Sequence, residues 1–138
     1  MVDKPKLDQM LSNLSLYSQR LTELAGVGRE VFLSNPDKVG HAKYLLVIAI
    51  ECSIDVANHV ISSENFRFPR NNADSFVVLV ERGILPEDRQ ESLRAMARFR
   101  NRLVHLYWEV DDDRVFEFLE HSLGDLGDFA RAIADHVW

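Results

Sequence analysis

Apolar residues along this chain recur at helical spacing, and no segment shows a sustained strand-like alternation. Leu7, Leu11, Leu14, Tyr17, Leu21, Leu24 and Val31 follow one another at intervals of three, four or seven, which predicts a first helix from about Lys6 to Leu33. Gly26 and Gly28 weaken its second half, and a bend is expected there. Asn35-Pro36 breaks the pattern, because the residue before a proline is pushed out of the helical region. A second helix is predicted from Asp37 to Ser62. Between Tyr44 and Ile61 it is apolar almost all round, so it belongs at the centre of the molecule. Its exception is a polar stripe, since Glu51, Asp55 and Asn58 fall on one face. The segment from Ser63 to Asn72, with Pro69 and three asparagines, reads as a loop. A short third helix, Ala73 to Arg82, is closed by Gly83. Leu85-Pro86-Glu87-Asp88 opens a fourth that reaches Tyr107, with Pro and acidic residues at its positive end. A fifth starts within Asp111-Asp112-Asp113 and carries Val115, Phe118, Leu119, Leu126, Phe129, Ile133 and Val137, with Gly124 and Gly127 as weak points. The predicted fold class is all-α: one domain over residues 1–138, an up-and-down bundle of four long helices and one short one.

A chain of 138 residues is long enough to bury a core without staples, and its lone Cys52 excludes both disulfide scaffolds and thiolate zinc sites. The longest apolar run, Tyr44 to Ile50, is too short to span a membrane and ends at Glu51. Met1 to Asp8 has no apolar export signal, and a cytoplasmic location is expected. The formal net charge of −6 opposes nonspecific nucleic-acid binding, but its distribution matters more than its sum. Arg67 to Arg102 holds eight arginines against five acidic residues, whereas Leu103 to Trp138 holds two against nine. A phosphate-bearing partner therefore has one landing area, around the arginines before Arg102.

The candidate chemistry lies between Leu93 and Trp108. With Leu93 as origin, Met96, Arg100, Leu103 and Tyr107 fall within about 80° of it on one side, so they form the expected buried stripe. An Arg in its middle needs an anion and acceptors. Glu51 and Asp55 are the carboxylates expected to face it, either as a structural lock or as part of a functional site. His105 lies roughly 140° from Arg100 and is expected to share a face with Arg94, Arg98 and Arg102. Arginines there disfavour its protonation and keep it usable as a base. A solvated basic face with a chance His is the competing reading. Phe66-Arg67-Phe68-Pro69-Arg70 interleaves aromatic and basic residues, and reads as a loop anchored by two phenylalanines or as a groove for single-stranded RNA. Asp111 to Asp113 is expected to cap a helix, Trp108 and Trp138 to pack, and Cys52 to be an inert thiol. The five histidines have no ligand-like spacing, so no metal site and no cofactor are expected.

Arg100-Asn101-Arg102-Leu103-Val104-His105-Leu106-Tyr107 is Arg, four residues, His, one residue, Tyr. This resembles the signature of the HEPN superfamily and, with the trailing Tyr, of its HepT toxin branch. The likeness runs from about Ala42 onward, through the Glu51 to Asn58 helix, the Pro69 loop, the Phe76 to Leu79 helix ending in Gly83-Ile84-Leu85, and Tyr107-Trp108. The resemblance implies a homodimeric, metal-independent endoribonuclease, the toxin of a type VII bacterial toxin-antitoxin pair. Carried over by position, Arg100 and His105 would be the catalytic pair and Asn101 a supporting polar residue. Tyr107 would accept AMP from a partner nucleotidyltransferase antitoxin of the MntA type. Arg98 and Arg102 on the basic face, and Glu51 and Asp55 on the central helix, would support the pair. The rival readings are a noncatalytic helical interaction module and a nucleotide-binding accessory subunit of a nucleotidyltransferase.

Overall fold

The computed structural model describes residues 1–138, and all of its regular elements are helical. Seven α-helices follow in order: α1 (Lys4–Ala25), α2 (Arg29–Leu33), α3 (Pro36–Ser63), α4 (Asn72–Glu81), α5 (Gln90–His105), α6 (Asp112–His121) and α7 (Leu123–Val137). Single 3-10 turns precede and follow α5, at Glu87–Arg89 and Tyr107–Glu109.

The helical class stands, and the count is higher because two predicted helices are each broken. Gly28 adopts φ +89°, a conformation that a side chain resists, so the first helix stops at Ala25 and restarts as α2. The last predicted helix breaks at Ser122 rather than at its glycines, and Gly124 and Gly127 sit inside α7. The fourth opens through a 3-10 turn after Pro86 and ends at His105, two residues short of the expected Tyr107. Other boundaries follow local chemistry. The Asn35 side chain accepts hydrogen bonds from the Asp37 and Lys38 backbone N–H groups ahead of Pro36. Gly83, at φ +74°, closes α4 with Ile84 N–H donating to Leu79 C=O and Gly83 N–H to Val80 C=O.

α3 is the axis of the bundle. By length and hydropathy alone it is apolar enough to cross a membrane, yet Leu45, Leu46, Ala49, Ile50, Val56, Ala57 and Val60 are completely buried inside the fold. Each large apolar side chain so buried contributes about 1.5–3 kcal/mol. Aromatic pairs join the outer helices: Phe32 to Phe116, Phe76 to Phe129 and Phe99 to Phe118, with ring centroids 5.1, 5.5 and 5.1 Å apart. The Cys52 thiol donates to Met10 C=O, and burial pushes it up to about 11, as an inert thiol requires.

Two peripheral expectations need correction. Asp111 makes no side-chain cap; instead Asp113 pairs with Arg29 at 2.7 Å and Asp112 with Lys43 at 3.2 Å, tying the start of α6 to α2 and α3. Trp138 is 56% exposed and does not pack into the core.

The loop between α3 and α4 is held by one guanidinium. Arg67 donates to both oxygens of Asp74 (2.8 and 3.0 Å) and both of Glu81 (2.8 and 3.0 Å), so it clamps the loop to the two ends of α4. Phe66 packs against the core beneath Arg82, whereas Phe68 is 90% exposed. Only one of the two expected aromatic anchors therefore exists.

The Arg67 hydrogen bonds hold the Asp74 carboxyl down to about 2 from its ordinary 3.8. A carboxylate lowered by folding contributes stability above its unfolded value and loses it as the pH falls through its folded value. Asp74→Asn is therefore expected to be less stable than the wild type at neutral pH. The gap between their urea midpoints should close as the pH drops from 3.8 toward 2; a gap independent of pH would contradict the clamp.

Candidate active site

Arg100 joins α5 to α3. Its Nε donates to Glu51 Oε1 at 3.1 Å, its Nη2 donates to the same oxygen, and its Nη1 donates to Asn101 Oδ1 at 3.0 Å. The Arg100 side chain is 18% exposed, so it is not sealed inside the bundle. This is the lock expected from the wheel, set where solvent still reaches part of the side chain.

The polar stripe on α3 resolves into three different uses. Glu51, half-buried, meets Arg100. Asn58 accepts a 2.7 Å hydrogen bond from the Ser75 hydroxyl and clips α4 to α3. Asp55 does not face inward as expected; it is exposed. Partial desolvation and the neighbouring Glu51 raise the Asp55 carboxyl above its ordinary value, while Arg100 and Lys6 pull it back. For a carboxyl shifted upward, ionisation costs stability as the pH rises, so Asp55 is a tolerated charge rather than a brace.

His105 is the last residue of α5 and is exposed, with Asn101 one turn before it on the same side. Of the arginines expected beside it, Arg94 and Arg98 share Glu91, at 3.2 and 2.6 Å, which offsets part of their charge. Their hydrogen bonds hold Glu91 below the usual carboxylate value. Arg94, Arg98 and Asn101 line a cleft of about 370 Å³ together with Arg70. Arg102 is not part of it; it lines a separate cleft with Glu109, Asp111 and Arg114. The predicted basic face is thus divided between two clefts.

Tyr107 departs most from expectation. The wheel placed it on the buried stripe, but the helix ends at His105, and the 3-10 turn leaves Tyr107 59% exposed. Trp108, expected to pack, is 68% exposed and meets Tyr107 edge-on, with centroids 5.7 Å apart. Val104, Leu106 and Tyr44 are exposed as well. Lys43, the residue before Tyr44 on α3, pairs with Asp112 at the start of α6, five residues after Tyr107 in the chain. An uncovered apolar surface therefore flanks the motif. Only its α3 side had a signal in the sequence, because Tyr44 shares the helical face of Glu51 and Asp55. No group of three or more His, Cys, Asp and Glu side chains converges as a metal ligand set.

Residues 14–133 match the family model described as "Ribonuclease HepT-like". An mRNA nuclease HepT of Shewanella oneidensis is 31% identical over 83 residues, 60% of this chain and 62% of that protein, so the aligned part spans under two thirds of this relative. A tRNA nuclease HepT of Aphanizomenon flos-aquae is 22% identical over 131 residues, 95% of this chain and 89% of that one. Among solved structures, a tri-AMPylated HEPN toxin of Shewanella oneidensis in complex with an MNT antitoxin superposes with a TM-score of 0.87 at 24% identity, over 98% of this chain and 99% of that one. The match over residues 14–133, on a fold shared with that toxin and with the Arg100-to-Tyr107 signature at an exposed helix end, shows that this chain belongs to the HepT-like ribonuclease family.

Proposed function

We propose that this protein is a metal-independent endoribonuclease acting as a bacterial toxin in the cytoplasm, neutralised by a partner nucleotidyltransferase of the MntA type. The observation that carries the reading is a guanidinium held by Glu51 and Asn101, on a side chain that is 18% exposed, in the same helix end as an exposed imidazole. RNA brings its own nucleophile. The 2′-hydroxyl attacks the adjacent phosphorus as the His105 imidazole removes its proton. Arg100 stabilises the added charge on the phosphoryl oxygens, and the P–O5′ bond breaks as the 5′-oxygen takes a proton from water, so the products are a 2′,3′-cyclic phosphate and a 5′-hydroxyl, and His105 returns its proton to solvent. Asn101 holds Arg100 in register, and no step needs a metal ion. The related nucleases act on mRNA and tRNA by name, and RNA is accordingly the substrate class proposed here.

Two further parts of the reading rest on the exposed surface around the motif. The apolar patch of Tyr44, Leu106, Tyr107 and Trp108 is the face on which a second copy of the chain would bring two motifs together. The Tyr107 phenol, exposed beyond the helix end, is open to modification. Its oxygen would attack the α-phosphorus of ATP bound to the partner enzyme, releasing pyrophosphate and losing the phenol proton to solvent. The AMP left on Tyr107 places negative charge and bulk beside Arg100 and His105, which excludes RNA phosphate.

His105→Ala is expected to abolish cleavage with its melting temperature unchanged, because the side chain is exposed. Arg100→Ala should also inactivate, and should cost about 1–3 kcal/mol by leaving half-buried Glu51 without its donors. Wild-type cleavage should survive EDTA and fail on RNA with a 2′-deoxy nucleotide at the cut. Equal cleavage by His105→Ala contradicts the mechanism and favours a noncatalytic interaction module, whereas loss of activity with EDTA overturns the metal independence of the step.

Sedimentation should show a dimer at micromolar concentration, with Trp108→Asp shifting it toward monomer and lowering cleavage. A monomer with full activity removes the two-motif site. Incubation with the partner nucleotidyltransferase and ATP should add mass in AMP units to the wild type and none to Tyr107→Phe, which should keep most of its cleavage yet escape neutralisation. A Tyr107→Phe variant that is inactive on RNA, with no AMP on the wild type, would make Tyr107 part of the catalytic apparatus instead.

A further inference from the structure

We propose that the α3–α4 loop and the adjoining face of α5 form a binding track for single-stranded RNA, with Phe68 as a base-stacking platform and Arg70, Arg94 and Arg98 as phosphate-binding groups leading to Asn101 and His105. The proposal deepens the ribonuclease reading and rests on it. Three observations carry it. The first is Phe68 itself: it is 90% exposed, so it contributes almost nothing to the core, while its neighbour Phe66 does the anchoring. An aromatic ring left in water on a flexible loop would have an ordinary explanation, but this loop is restrained by the Arg67 clamp. A ring presented on a restrained loop loses little entropy when it stacks on a base.

The second is charge. Arg70 lines the cleft with Arg94, Arg98 and Asn101, and its side chain makes no ion pair. Asp74, which also borders the cleft, is engaged by Arg67, and Glu91 is the single carboxylate shared by Arg94 and Arg98. The cleft therefore keeps a positive surplus in a chain whose net charge is −6.

The third is continuity. Arg94 and His105 are separated by roughly 16 Å along the α5 axis, the rise of eleven helical residues, on one side of the helix. Asn101 both lines the cleft and accepts a hydrogen bond from Arg100, so the track ends against the catalytic pair. Phe68 lines a separate cleft with Asn58, Ile61, Ser62 and Pro69, and Arg70, two residues further along the same loop, lines the arginine cleft, so the loop itself is what links ring and guanidiniums. Phosphates would sit on the guanidiniums while an upstream or downstream base stacks on Phe68, which makes the enzyme prefer unpaired RNA longer than the cleaved dinucleotide.

The test reads binding separately from cleavage, using a short fluorescent 2′-O-methyl single-stranded RNA that lacks the nucleophile. Phe68→Ala should bind it about tenfold more weakly. Phe68→Trp should restore affinity and Phe68→Leu should not, a distinction that a packing role would not produce. Arg70→Gln combined with Arg94→Gln should weaken binding and lower the slope of log affinity against log salt by about 0.7 for each phosphate no longer neutralised. Arg20→Gln on α1 combined with Arg131→Gln on α7 serves as the charge-matched control and should bind as the wild type does. Circular dichroism of each variant checks the fold. Unchanged affinity in both the Phe68→Ala and the double Arg variants, with unmodified RNA still cleaved by the wild type, overturns the track and leaves the nuclease reading intact. Binding through the track without any cleavage of unmodified RNA overturns the nuclease reading and leaves the track. If the variants bind RNA normally but lose the partner nucleotidyltransferase, the surface is a protein-docking face and the proposal falls.

Discussion

Everything that positions the candidate chemistry depends on one ion pair between the central helix and the fifth, Glu51 with Arg100. α3 is buried on most of its circumference, so a carboxylate on it must be partnered or left at a costly charge. Arg100 supplies the partner, and in return Glu51 removes most of the guanidinium's rotational freedom. A long flexible side chain thereby becomes an oriented donor that is not fully buried, and a site built to stabilise charge on a phosphoryl group requires such orientation. Asn101 adds a second restraint from the neighbouring position on the same helix.

The same economy of charge governs the loop before α4. Arg67 meets two carboxylates at once and is fully occupied, whereas Arg70, three residues later, keeps its side chain unpaired. A sequence with alternating aromatic and basic residues is thus divided into an anchoring half, Phe66 and Arg67, and a presented half, Phe68 and Arg70. The division follows from reach. Arg67 lies where both Asp74 near the start of α4 and Glu81 at its end come within hydrogen-bond distance, whereas Arg70 reaches Asp74 only through its backbone N–H.

The end of α5 shows how a small local choice changes function. If the helix continued to Tyr107, helical phase would place that phenol on the stripe of Met96 and Leu103, in the core. Helix termination at His105 rotates the chain out of that phase, and Leu106, Tyr107 and Trp108 emerge into solvent together. An aromatic pair that would have been packing becomes an uncovered surface beside the motif, with Tyr44 on α3 extending it.

The all-helical class, the central place of α3, the caps at Asn35 and Gly83 and the Arg100 to Glu51 pairing were readable from the chain alone. Each is set by periodicity or by residue chemistry within a few positions, or by the scarcity of partners for a buried charge. Tertiary structure decided the rest. Whether Gly28 or Gly124 would break a helix depended on which neighbouring helix offered a surface to pack on, and propensity is identical for the two. The exposure of Asp55, Phe68, Tyr107 and Trp108 depended on which faces the other helices cover, a property of their crossing and not of local sequence. The clustering of Arg70 with Arg94, Arg98 and Asn101 joins residues on two elements far apart in the chain. Only the packing of α4 and the loop before it against α5 brings that charge together, because helical phase orders side chains around one axis and carries no information about the next.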